Sequence, residues 1–356
     1  MSDVSVAYGY PKAMDVAPAK TGEEFRDDLR RAPARLLPAA TLRALTELDD
    51  WRSAAALLQT LLITALAISA ALLWWNPWAV LAAIVLIGTQ QHAMFVLAHE
   101  AAHYRLFSAR GLNEAIGRAL GSVSGISMCS YRVVHRLHHN DLYGRQDPDI
   151  ALHGGYPRGR GYLLRKLAGD LSGLNAWKTF LYFFGNPAIN VDTGTALRPL
   201  DDTAPSLRAA ARRDRWGVVA VQLLLPALFF VLGGPRALLA YCLLWIAPLA
   251  TVVQVILRVR AVLEHGAITD RSSPLTAART NLAGPLARLF LFPHHVNYHI
   301  EHHLFPAVPH YHLSRLHRIL AQAGVLEGAE IRRPMQAWQR VFAPRAAAST
   351  AVEASH

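Results

Sequence analysis

Residues 78–103 read WAVLAAIVLIGTQQHAMFVLAHEAAH. Residues 78–98 are apolar over a length that crosses the hydrocarbon core of a bilayer as a helix, and the span delivers the chain straight into His99 and His103. Those two histidines stand four residues apart, so a continuing helix presents both imidazoles on one face. A membrane span ending in a metal-binding pair sets the architecture to be looked for elsewhere in the chain.

Upstream, residues 53–75 form a second apolar run, and the WWNPW turn at residues 74–78 supplies interfacial tryptophans and a proline that stops the helix. The two runs read as a hairpin. A second hairpin is expected from residues 216–232 and 237–257, joined by GGPR, and it leads to Glu264 and His265. Of the 36 Lys and Arg, all but Arg236 then fall on one side of the membrane, and the positive-inside rule makes that side cytoplasmic. The net charge of +11 therefore reflects topology, and no nucleic-acid partner is expected.

The histidine pair is not alone. HRLHH places His135, His138 and His139 at i, i+3 and i+4, and HIEHHLFP at residues 299–306 repeats that spacing with His299, His302 and His303. Two H-x-x-H-H runs arise by chance in about one chain in a thousand of this composition, so coincidence is a poor account of them. Eight histidines in three boxes suffice for more than one metal. Imidazole-rich sites suit iron, zinc, copper or nickel rather than magnesium or calcium. Cys129 and Cys242 form no C-x-x-C pattern, which argues against iron–sulfur clusters, thiolate zinc sites and a disulfide framework.

With 53% hydrophobic and 17% charged residues, the composition fits a membrane protein with a sizeable polar portion. The expected fold class is an all-α integral membrane protein, with four transmembrane helices in two hairpins and a cytoplasmic helical cap carrying the boxes. Residues 1–52 are expected to be a cytoplasmic or interfacial segment, 53–320 the membrane domain and 321–356 a cytoplasmic tail. Both termini and the site then lie in the cytoplasm. The Asn-, Asp- and Pro-rich stretch 185–205 reads as an irregular loop.

The ordered triple of boxes, their placement after paired spans and the context NYHIEHHLFPAVPHYHL resemble the membrane-bound fatty acid desaturase superfamily, which includes lipid hydroxylases and carotenoid ketolases. The resemblance implies a non-haem site of two iron ions that uses O2 and two electrons to attack an unactivated C–H bond of a lipid chain. It implies His99, His103, His135, His138, His139, His299, His302 and His303 as ligands. Relatives carry a further histidine at the end of the last span, where His265 stands here. Fatty acid or acyl desaturation is the default outcome; hydroxylation, ketolation and oxidative decarboxylation to a terminal alkene belong to the same chemistry.

Ligand imidazoles need acceptors that fix their tautomer, and Asp147, Asp149, Glu100, Glu264, Glu301, Asn140 and Asn297 are the nearby candidates. The two aspartates flank Pro148 and serve equally well as turn formers. His92 and Gln91 lie deeper in the span, where they line a substrate tunnel or, more simply, bond between helices. Surface positions are expected for His153, His310, His312, His317 and His356. An external electron donor of the ferredoxin, rubredoxin or cytochrome b5 type is expected, since no fused redox module is evident.

Two rivals come from other classes. HEAAH matches the H-E-x-x-H pattern of zinc proteases, with Glu100 as general base, but that reading leaves both H-x-x-H-H boxes without a role. A metal transporter calls for polar residues along the spans, and those are few.

Overall fold

The computed structural model describes residues 33–144, 147–186 and 203–343. Residues 1–32 of the expected N-terminal segment, most of the expected irregular loop and residues 344–356 of the expected tail lie outside the described residues.

The described chain is helical, with one pair of two-residue parallel strands. Three stretches are helical, long and apolar enough to cross a membrane: Ala39–Leu73, Pro77–Ala102 and Pro205–His265. The first comprises α1 (Ala39–Thr46) and α2 (Asp50–Leu73), and the second is α3 (Pro77–Ala102). Asp49 starts α2 by accepting from the Trp51 and Arg52 amides, and Asn76 starts α3 by accepting from Trp78 and Ala79, with Pro77 at the first helical position. The WWNPW turn is thus a helix stop joined to a helix start. Along α2, Ala56, Thr60, Thr64, Ala67 and Ala71 are buried while Leu58, Leu62, Leu66 and Leu73 are exposed. Small residues between helices and leucines outside are what a bilayer selects.

The cap follows. It contains α4 (Arg110–Val123), α5 (Met128–Asn140), α6 (Arg160–Leu171) and α7 (Ala176–Phe183). Then α8 (Pro205–Tyr241) covers the span expected at 216–232 and the start of that expected at 237–257; a π-helical turn over Cys242–Ile246 and a short helix, Ala247–Ala250, lead to α9 (Val252–His265), which completes the stretch. The GGPR element is a break rather than a loop: Gly233 and Gly234 leave helical geometry, Gly234 at φ +62°. Phe229 and Tyr241 stack with ring centroids 5.0 Å apart across it. A straight helix separates residues twelve apart by about 18 Å, so the helix is not straight through the glycine pair.

Close approach of α3 and α9 depends on Gly88, where a Cβ would stand 2.6 Å from Val252. Beyond α9, β1 (Thr280–Asn281), α10 (His299–Leu304) and α11 (His310–Gln322) build the rest of the cap. β2 (Ile331–Arg332) pairs with β1, and α12 (Pro334–Val341) buries Ala337 and Val341. Leu320 of α11 packs with Val325 and Leu326 beyond it. At the other end, Leu37 and Leu45 pack with Leu313 and Leu316 of α11.

Candidate metal centre

Four elements bring nine histidines together. His99 ends α3 and His103 caps it; α5 carries His135, His138 and His139; α9 terminates on His265; α10 carries His299, His302 and His303. They form two groups. His99, His103, His135, His139 and His302 make one, and His138, His265, His299 and His303 the other, with the candidate ligand atoms of each group within 4.8 Å of one another. The groups adjoin where the His139 and His303 rings stack at 4.3 Å.

Whether these residues fit a metal can be judged from their nitrogens. In the first group His135 Nε2 lies 2.8 Å from His99 Nε2 and 3.0 Å from His139 Nε2, which is itself 3.1 Å from His302 Nε2. In the second, His299 Nε2 lies 2.7 Å from His265 Nε2 and 3.1 Å from His303 Nε2. Burial, reinforced by neighbouring histidines, holds His135, His139, His299, His302 and His303 well below the ordinary histidine range. Burial, with Arg105 and Arg132 nearby, pushes His103 down to about 4. A neutral imidazole has one N–H, so a chain of ring nitrogens at these distances leaves lone pairs facing one another. His103 Nε2, buried, has no hydrogen-bond partner at all. Convergent unprotonated nitrogens of this kind fit a cation bound between them.

The carboxylates divide by what they touch. Asp147 is fully buried; its Oδ1 accepts from His138 Nδ1 at 2.9 Å and its Oδ2 from the Tyr143 amide at 2.9 Å. This leaves His138 Nε2 for the second group. Burial alone would lower His138, but Asp149 and Asp147 outweigh it and push the ring up to about 9. A cation at Nε2 replaces the second proton, so the same carboxylates that favour the proton favour the metal. Asp147→Asn is expected to weaken metal binding by roughly 10–100-fold, measured by titration with Fe(II); unchanged affinity would remove Asp147 from the site.

Glu100 reaches His99 Nδ1 at 3.5 Å through Oε1 and accepts from the His310 amide at 2.8 Å through Oε2. Glu264 accepts from Arg260 and stands 3.9 Å from His299 Nε2. Asp149 Oδ2 is 3.6 Å from His138 Nδ1. Other candidates point elsewhere: Glu301 accepts from Thr280 Oγ1 (2.6 Å) and His317 Nδ1 (2.5 Å), Asn297 donates to the Asn281 carbonyl, and Asn140 is exposed at the end of α5. His92 Nε2 accepts from Arg260 at 2.9 Å, and Gln91 donates to the Trp245 carbonyl at 2.8 Å, so both bond between helices.

Two histidines expected at the surface are buried. His310 is 4% exposed and its backbone holds Glu100. His153 is 2% exposed, with its ring 4.9 Å from His265 and its Nε2 3.4 Å from Asp147 Oδ2. Neither belongs to a spaced run, so neither carries a local signal. A cavity brings His99, His135, His138, His265, His299 and His302 against Phe95, Val96, Leu152, Phe183 and Leu257.

Fold and site together define a helical protein with membrane-length apolar helices and a buried polyhistidine centre beside an apolar cavity. The chain belongs to the fatty acid desaturase family, whose model matches residues 73–334. It is similar to the chloroplastic omega-3 fatty acid desaturase of Glycine max, at 26% identity over 74% of this chain and 59% of that protein. It is also similar to the chloroplastic sn-2 acyl-lipid omega-3 desaturase (ferredoxin) of Helianthus annuus, at 25% identity over 74% of this chain and 60% of that protein. The dihydrorhizobitoxine desaturase of Bradyrhizobium elkanii is 24% identical over 84% of this chain and 81% of its own length. The chain thus spans about 60% of the length of those plant relatives, and the relatives' names do not agree on a substrate.

Proposed function

We propose that this protein oxidises an unactivated C–H bond of a lipid chain with O2, removing two hydrogens from a fatty acid or fatty acyl substrate. The observation that carries the reading is the apolar cavity running against both histidine groups. Two iron ions, one in each group, supply the activation of O2 and the capacity to accept hydrogen from the substrate. His99, His103, His135, His139 and His302 would hold one; His138, His265, His299 and His303 would hold the other.

The remaining work belongs to the chain itself. Asp147 fixes the His138 tautomer, and Glu100 holds the end of α3 against α11. Phe95 and Phe183, with ring centroids 5.0 Å apart, line the cavity beside the histidines and exclude water from the reacting carbons. The order of hydrogen removal is set by which carbons the cavity places nearest the histidines.

In this reading the Gly233–Gly234 reversal completes two hairpins and four spans. The described residues form one membrane-embedded domain whose cap faces the cytoplasm, and an external donor, ferredoxin being one candidate, supplies the electrons. The zinc protease reading is disfavoured by the surroundings of Glu100: one of its oxygens accepts from the His310 amide, and its two flanking histidines share their group with three more.

The test is product identification. Iron-loaded protein in a bilayer, given fatty acids or acyl thioesters, O2 and a ferredoxin–reductase system, is expected to yield products two hydrogens lighter. Alcohols or terminal alkenes would assign a sister reaction, and no O2-dependent product with any substrate would contradict the proposal.

A further inference from the structure

The cavity beside the histidines has an outer end of different character. The lining residues there that keep solvent exposure include Lys166 on α6, Lys178 and Thr179 on α7, and Asn175 at the turn between those helices. Charge at this end does not cancel. Asp170 is occupied: it accepts from Arg258 through two nitrogens and from Asn175 Nδ2 at 2.8 Å, so Asp170 and Arg258 neutralise each other. Among the described residues neither lysine has an ion-pair partner. Lys166 Nζ stands 5.2 Å from the Tyr162 ring centre and Lys178 Nζ 5.6 Å from that of Trp177. Two uncompensated ammonium groups therefore stand at the mouth of a cavity whose inner wall sets Phe95, Val96, Leu152, Phe183 and Leu257 against the histidines. Its chemical complement is a molecule with an anionic head and an apolar tail.

Resting on the reading of lipid-chain oxidation at this centre, we propose that Lys166 and Lys178 bind the anionic head group of the substrate at the cavity mouth. The head is a carboxylate of a free fatty acid or a phosphate of a carrier-type acyl thioester, and the chain then runs inward past the histidines. A neutral acyl glycerolipid leaves both charges unmatched. Thr179 adds a hydroxyl donor on the same helix as Lys178. The lysines position the chain and take no part in the hydrogen removal.

The test is equilibrium binding to the full-length protein in a neutral detergent, with palmitate, hexadecanol and palmitoyl-phosphopantetheine as probes. The unaltered protein is expected to prefer one of the anionic probes over hexadecanol by about tenfold or more. The double variant Lys166→Ala, Lys178→Ala is expected to reduce that preference to about twofold without weakening hexadecanol binding, and Lys166→Arg, Lys178→Arg to retain it. Tighter binding of palmitate identifies a free acid as the source of the anion, and tighter binding of the thioester a carrier. Equal affinity for all three probes, or a preference surviving the double alanine variant, overturns the proposal. Its failure is separable from that of the oxidation reading. Anion preference without any O2-dependent product overturns the oxidation reading and leaves the lysine site standing; product formation without anion preference does the reverse.

Discussion

Replacing His302 by alanine is expected to abolish O2-dependent turnover, by about 10³-fold or more, on the scale seen when one member of a site acting as a unit is removed. His302 is the member of the first histidine group that comes from α10. Its ring lies 4.6 Å from His99, 4.8 Å from His139 and 4.9 Å from His103, and its Nε2 is 3.1 Å from that of His139. Taking it away removes the contribution of α10 to that group, leaving ligands from α3 and α5 alone. Bound iron should fall with activity while helical content by circular dichroism stays unchanged, because α10 is short and its packing rests on Ile300 and Leu304. An active variant with its full iron would overturn the ligand assignment.

The second large effect is on stability. Arg279 is fully buried and donates to three partners: Glu330 Oε1 at 3.1 Å, the Leu263 carbonyl at 3.0 Å and the Gly266 carbonyl at 3.1 Å. Those carbonyls flank His265 at the end of α9, while Glu330 precedes β2. Arg279→Ala takes the donor from the Gly266 carbonyl, leaves the Leu263 carbonyl to Asn281 Nδ2 alone and leaves Glu330 to the partly exposed Arg332 and Arg340, at a cost of roughly 1–3 kcal/mol. A lowered midpoint of thermal unfolding in detergent is the expected result, with weakened metal binding in the group that contains His265. An unchanged midpoint would mean that the arginine braces nothing.

These two residues mark how far local sequence reaches. His302 was legible because helical spacing at i, i+3 and i+4 is a local pattern, and the same pattern exposes the other box histidines. Arg279 was invisible, since its partner Glu330 stands 51 positions away and neither residue has a distinguishing neighbourhood. The same holds for Arg260, which meets His92 across 168 positions, and for His317 against Glu301. Isolated histidines such as His153 and His310 read as surface groups because nothing nearby in sequence announces their burial. Of the carboxylates proposed to orient the rings, Asp147 and Glu100 contact histidines of the two groups, whereas Glu301 supports α10 through Thr280 and α11. Spacing finds residues that share a face with a site, and only tertiary contacts decide which way each carboxylate turns.

The apolar pattern behaved similarly. Residues 53–75 and 78–98 are separable because WWNPW contains both a cap and a proline, and GGPR marks the interruption of the second pair of runs, which otherwise share one long helical stretch. The pairing of β2 with β1, a contact two residues long, is one that no periodicity reveals.

The most direct test of the central claim is metal analysis of the purified full-length protein after anaerobic loading with Fe(II) and removal of loosely bound ions. On the proposed reading, two histidine groups, each built from three separate elements, are expected to retain two tightly held irons per chain. A single zinc per chain, with no iron retained, would contradict the account.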